Sequence, residues 1–206
     1  MTKRLVYGVG INDADYTVQI NEFIGIDSKG KKIYKLAWMC PFYSSWHNML
    51  LRCYSTVYHK KQPTYTDCEV QASWLRFSNF KKWMLAQDWE GKELDKDILF
   101  HENKVYSEDY CVFVTKQVNT FFSERGAERG EYPIGVGFHK QSGLYRARCG
   151  DTEGGRYNLG YFKTPEEAHK AWLQCKLEQA RILASKQTDV RVAKAIVARY
   201  ENYKET

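Results

Sequence analysis

The sequence predicts an α+β protein in which a β-rich N-terminal segment, a mixed central segment and a sheet-plus-helix C-terminal segment follow one another. Three observations predict it. Short β-favouring runs, Tyr16-Thr17-Val18-Gln19-Ile20 and Lys32-Ile33-Tyr34-Lys35-Leu36, are split by the turn residues Asp27-Ser28-Lys29-Gly30, the pattern of a hairpin. From Ser44 the period changes: Trp46, Met49, Leu50, Cys53 and Tyr54 recur at i, i+3, i+4, i+7 and i+8, the apolar stripe of a helix. Near the C-terminus, Thr164, Pro165 and Glu167 spell a helix start, with an N-cap, proline in the first turn and a capping-box acid.

Between these landmarks the pattern continues. His59-Lys60-Lys61-Gln62-Pro63-Thr64 breaks the chain, and Trp74, Phe77, Phe80, Trp83 and Met84 mark a second helix that Gly91 closes. A strand over 94–99, a polar loop over 100–110, a second strand over 111–114 and a helix opening at Thr115 form one ββα unit. The charged, glycine-punctuated segment 123–131 reads as a linker. Beyond it, 134–138, 144–149 and 157–162 read as three strands, and 165–204 as almost wholly helical. The expected divisions are 1–43, a β-rich segment; 44–125, helices and the ββα unit; and 131–206, the sheet and helices.

Composition narrows the function classes. The chain has 206 residues, 43% of them hydrophobic, enough to bury a core without crosslinks. No apolar run approaches the roughly 18 residues of a membrane helix, and Leu5-Val6-Tyr7 is too short for a signal peptide, so the expected location is the cytoplasm and no membrane partner is expected. Lys and Arg number 31 against 25 Asp and Glu. Residues 44–130 balance at 12 of each, whereas 131–206 hold 13 basic and 9 acidic side chains, so the C-terminal part is the electrostatically attractive end for a polyanion. Aromatic residues make up 15%, enough for core mass and for stacking surfaces.

The central stretch, Leu94-Asp95-Lys96-Asp97-Ile98-Leu99 followed by Tyr106-Ser107-Glu108-Asp109-Tyr110-Cys111-Val112-Phe113-Val114 and Thr115-Lys116-Gln117-Val118-Asn119, resembles the HNH (ββα-metal) endonuclease family. The resemblance implies cleavage of DNA with Mg²⁺ or Mn²⁺, a first-strand acid and a helix Asn or His as metal ligands, and a general base beside the acid. Carried over by position, Asp95 and Asn119 are the ligands. Lys96 stands where the base histidine is expected, and Tyr110 where an Asn orients it; His101 or Asp97 could act instead. The alternative is that Asp95 and Lys96 form an ordinary surface pair.

A second resemblance covers about 133–180. Gly135-Val136, Tyr145-Arg146-Ala147-Arg148, Leu159-Gly160-Tyr161-Phe162 and Pro165-Glu166-Glu167-Ala168, with Ala171-Trp172, resemble the Apetala-type (AP2/ERF-like) DNA-binding domain, which implies three strands on a helix, reading the major groove of double-stranded DNA. The candidate DNA-binding residues are Lys140, Tyr145, Arg146, Arg148, Arg156 and Lys163; Arg146 and Arg148, two apart on one strand, share a face. The two together resemble bacteriophage-encoded HNH proteins with such a module, which implies action inside a host cell.

Six cysteines without a secretion signal read as free thiols or metal ligands. Cys111 begins the second strand of the ββα unit and Cys40, Cys53 and Cys68 precede the unit, so a structural Zn²⁺ bracing it is one reading and ordinary core thiols the other; Cys149 and Cys175 read as core. Two further readings stay open beside the endonuclease: a DNA-binding protein on a degenerate HNH scaffold, and a factor that inhibits a host protein through the aromatic N-terminal half.

Overall fold

The computed structural model of the chain describes residues 5–122, 131–150 and 155–203. They form an α+β protein of two compact units, residues 1–113 and 114–206. The boundary thus falls inside the segment expected to be a single ββα unit, and 1–43 does not stand apart. Val18 and Cys40 are buried in the same core as the helices of the first unit. Except for Glu131, the expected linker 123–131 lies outside the described residues.

In the first unit, strands β1 (Gln19–Ile26) and β2 (Lys32–Met39) pair as an antiparallel ribbon. Its turn is closed by Asp27, whose Oδ1 accepts from the backbone N–H of Lys29 and Lys31, and by Gly30 at φ +78°, a conformation that needs glycine. The register slips twice, at Ile20/Asn21 and at Phe23/Gly25, so Ala37 on one strand and Ile24 on the other have no partner. Paired residues alternate between faces, which puts Asn21 with Leu36, Phe23 with Tyr34 and Ile26 with Lys32 on one side, and Ile20 with Trp38 and Glu22 with Lys35 on the other. The apolar members are exposed, Phe23 at 54% and Tyr34 at 56%.

Helix α1 (Pro41–Tyr54) starts on a proline and buries Trp46, Met49, Leu50 and Cys53 of the expected stripe; Tyr43 joins them, and Tyr54 is only half-buried. Helix α2 (Thr56–Lys61) is capped by Ser55, whose side chain accepts from the Tyr58 N–H. A single 3₁₀ turn (Ala72–Leu75) precedes α3 (Phe77–Leu85), so the expected second helix is broken at Arg76. Trp46 Nε1–H donates to the Trp74 carbonyl at 2.6 Å, joining α1 to that turn, and Phe77, Phe80 and Met84 complete the core. The N-terminal segment lies so close to α1 that a Cβ at Gly10 would meet Leu50 Cδ1 at 2.4 Å.

Two expectations are corrected here. The strand expected over 94–99 is only β4 (Glu93–Asp95): the Asp95 carboxylate accepts from the N–H groups of Asp97 and Ile98 and turns the chain. The expected loop 100–110 contains β5 (Val105–Tyr106), which pairs in parallel with β3 (Glu69–Val70). Strands of two residues are too short to show a period. β4 is bonded to β6 (Val112–Val114).

The second unit opens with α4 (Lys116–Phe122). Strands β7 (Val136–His139), β8 (Leu144–Gly150) and β9 (Arg156–Phe162) form an antiparallel sheet with β8 in the centre. Helix α5 (Pro165–Ser185) carries the expected capping box, with the Thr164 side chain accepting from the Glu167 N–H and the Glu167 carboxylate accepting from the Thr164 N–H. The expected helix to residue 204 is interrupted. Asp189 caps a separate helix, α6 (Val190–Glu201), which buries Val192, Ile196 and Tyr200. Tyr200 O–H donates to the Phe121 carbonyl at 3.1 Å, tying α6 to α4.

Gly135 is where this unit tolerates least. Its φ is +82°, and an added Cβ would lie 2.1 Å from Trp172 Cδ1. Trp172 is buried on α5 and cannot retreat. Gly135→Ala should therefore cost about 2–4 kcal/mol, combining overpacking with left-handed strain, as read from urea unfolding of the full chain. A loss under half a kcal/mol would mean that the sheet and α5 are not held this close.

Candidate nucleic-acid interface and the nuclease-like segment

The sheet of the second unit has one face against α5 and one open face. On β8, Ala147 and Cys149 are fully buried on the α5 side, so Arg146 and Arg148 project from the other. The register extends that open face across the neighbouring strands. Arg146 is paired with Gly137 on β7 and Tyr161 on β9, Arg148 with Asn158, and Gly150 with Arg156. A Cβ at Gly137 would meet nothing within 4 Å; Arg146 is half-buried, with its Nε covered and unpartnered, whereas Arg148 is exposed. The imidazole of His139 stacks edge-on with Tyr161 at 5.1 Å. None of the three strands carries an acidic residue. The face is therefore three arginines interleaved with Tyr161, His139 and Asn158, with Lys140 and Lys163 exposed at the adjoining strand ends. Such a surface offers charge to phosphates and planar groups to bases.

One predicted residue moves. Tyr145, grouped with the arginines by sequence, projects to the opposite side, because consecutive strand residues alternate. It packs with Tyr132 and Phe138 at ring separations of 5.2 and 5.3 Å. Tyr161, His139 and Asn158 take places on the open face that sequence reasoning missed; only the strand register brings them beside the arginines.

The nuclease-like residues of the first unit do structural work. Asp95 Oδ1 accepts from the backbone N–H of Asp97 at 2.7 Å and of Ile98 at 2.8 Å. Burial pushes its carboxyl above the ordinary range, against the pull of those hydrogen bonds. Lys96, where the base was sought, is 5% exposed; its ammonium donates to the Asp97 carboxylate and to the Asn103 carbonyl at 2.6 Å. Asn103 closes the loop in return, its Nδ2 donating to the carbonyls of Lys96 and Val105 at 2.9 and 2.7 Å. The rings of Tyr65 and Tyr106 each lie 5.9 Å from the same ammonium. Asp97 is exposed, and His101 sits on the exposed turn of this loop. Tyr110 packs edge-on against Phe100 at 5.0 Å. Asn119 lies on α4, in the second unit.

This donor set does not suit a divalent ion. One Asp95 oxygen is committed to two backbone donors, and the positive charge beside these carboxylates is already supplied by Lys96. Among the described residues, no group of three or more His, Cys, Asp and Glu side chains is arranged to hold a metal. Cys40, Cys53, Cys68 and Cys111 are buried free thiols. Burial, with Cys68 adding to it at Cys53, pushes the thiols of Cys53 and Cys111 up to about 12. No helix among the described residues is long and apolar enough to cross a membrane. No protein-family model, curated protein or solved structure matches the chain.

If Asp95 serves its turn, the acceptor matters and the charge does not. Asp95→Asn keeps an oxygen for both N–H groups and should change stability by no more than about 0.5 kcal/mol, whereas Asp95→Ala should cost about 1–3 kcal/mol in denaturant unfolding. Because its folded-state pKa is raised, the wild-type carboxyl makes stability fall as pH climbs from the ordinary carboxyl range through the raised value, a slope that Asp95→Asn removes. Equal losses in both variants would show that the charge is what the protein uses.

Proposed function

We propose that the protein binds double-stranded DNA through the open face of its C-terminal sheet, and that the HNH-like segment serves as scaffold. The observation that carries this reading is the placement of Arg146, Arg148 and Arg156 on one face with Tyr161, His139 and Asn158, on strands that carry no acidic residue. A buried helix backs the same sheet, so the arginines are displayed from a rigid platform, which is what reading base edges requires. The scaffold reading is supported by Lys96, whose ammonium is occupied as the internal counter-ion of its loop.

Arg148→Ala should weaken binding to a selected duplex by about 1–3 kcal/mol and relax preference at one position, measured by competition against a random duplex. Lys140→Ala should instead weaken all duplexes alike and reduce the salt dependence. If neither substitution changes affinity, the sheet is not the interface. Supercoiled plasmid incubated with the full chain and Mg²⁺ or Mn²⁺ should stay intact; nicking that Asp95→Ala abolishes would restore the metal-dependent endonuclease.

The ribbon of the first unit favours a second reading, a protein partner such as a host factor. Ile20, Phe23, Ile26, Tyr34, Leu36 and Trp38 are all exposed on it, and an isolated two-stranded ribbon gains little from leaving them in water. Replacing Phe23 and Tyr34 together by lysine should raise the concentration at which the free chain aggregates while leaving its melting midpoint and duplex affinity unchanged. Loss of folding in that variant would assign these side chains to the core instead.

A further inference from the structure

Helix α5 presents Trp172, Cys175 and Gln179 at i, i+3 and i+7, on neighbouring turns of one face. Cys149 projects from β8 towards the same helix and is fully buried, whereas Cys175 is half-buried. The amide of Gln179 serves both sulfurs: its Nε2 lies 3.6 Å from Cys149 Sγ and 3.5 Å from Cys175 Sγ. Gln179 Oε1, by contrast, is buried without a partner. One donor thus serves two weak acceptors while a strong acceptor goes unused, an arrangement with little to offer stability. Small residues explain why strand and helix come so near: Ala147 on β8 and Ala168 and Ala180 on α5 are fully buried. A disulfide needs such an approach, with Cβ atoms about 3.5–4.5 Å apart.

We propose that Cys149 and Cys175 are an oxidation site that closes an intramolecular disulfide between β8 and α5 when the protein meets a peroxide. Cys175, the accessible member, reacts first. Its thiolate attacks one peroxide oxygen, the O–O bond breaks, hydroxide leaves and takes up a proton as water, and Cys175 becomes a sulfenic acid. The Cys149 sulfur then attacks the Cys175 sulfur. The S–O bond breaks, and the departing hydroxyl leaves as water with the Cys149 proton. Two thiols lose two electrons and two protons in all, and hydrogen peroxide is reduced to two waters. Burial holds the Cys149 thiol up at about 12, which suits it to wait as the resolving partner rather than to react with the oxidant itself, and the charge of Lys176 favours its ionised form. The other four cysteines are all buried. This inference stands independently of DNA binding.

The test is peptide mapping of the full chain after native treatment with hydrogen peroxide and alkylation of the remaining thiols. The expected product joins Cys149 to Cys175, lowers the intact mass by two hydrogens, reverts with dithiothreitol, and melts about 10 °C above the reduced chain. Cys175→Ser should abolish both the product and the shift. Wild-type chain alkylated at Cys175 before peroxide should behave likewise, so the test does not hang on one variant's folding. A Cys175 sulfinic acid beside a free Cys149, crosslinks to other cysteines, or equal crosslinking in Cys175→Ser would overturn the proposal.

Discussion

An indole N–H buried in an apolar core must find an acceptor, and Trp46 finds the Trp74 carbonyl. That hydrogen bond fixes where the turn at Ala72–Leu75 sits against α1, and therefore where α3 begins. Phe77 then meets both Tyr43 and Trp46, and Trp74 meets Phe80 and Trp83. Through Trp83 the aromatic stack reaches Phe113 on β6. The first unit is thus assembled by large rings placed around one satisfied indole N–H, that of Trp46, which makes their positions specific as well as favourable. Lys96 repeats the logic with a charge: an ammonium taken out of water is stable only because a carboxylate, a carbonyl and two aromatic faces surround it.

The second unit separates its tasks by face. Small and aromatic residues on one side of the sheet admit α5 closely, and cationic and planar residues occupy the other. Packing precision on the hidden side is what gives the displayed side a fixed geometry, since a strand cannot move its outward residues without moving the inward ones.

What the residues disclose in advance follows from how local the cause is. The stripe from Trp46 to Cys53, the capping box at Thr164 and the shared face of Arg146 and Arg148 depend on neighbours within a few positions, and all are legible. The parallel pairing of Glu69–Val70 with Val105–Tyr106 spans more than thirty residues with only two on each strand, so no pattern marks it. Lys96 stands where a base is expected, and of its two partners, the Asp97 carboxylate and the Asn103 carbonyl, the second is a backbone group that any residue would supply, so the sequence does not mark it. Tyr145 adjoins Arg146 in the sequence, and the alternation that puts Arg146 and Arg148 on one face sends it to the other. Asp95, an apparent strand residue, ends its strand because its own side chain competes for the backbone donors ahead of it.

The two register slips in the ribbon have opposite senses, one surplus residue on each strand, so the ribbon regains its original pairing by the time it reaches the turn. Each extra residue is absorbed where it stands: Phe23 and Ile26 share a face although Ile24 lies between them. Deleting Ile24, or Ala37, would straighten the ribbon locally and leave every paired side chain on its present face. The length of this arm can therefore drift by one residue on either strand while the pairing of its exposed apolar side chains is kept.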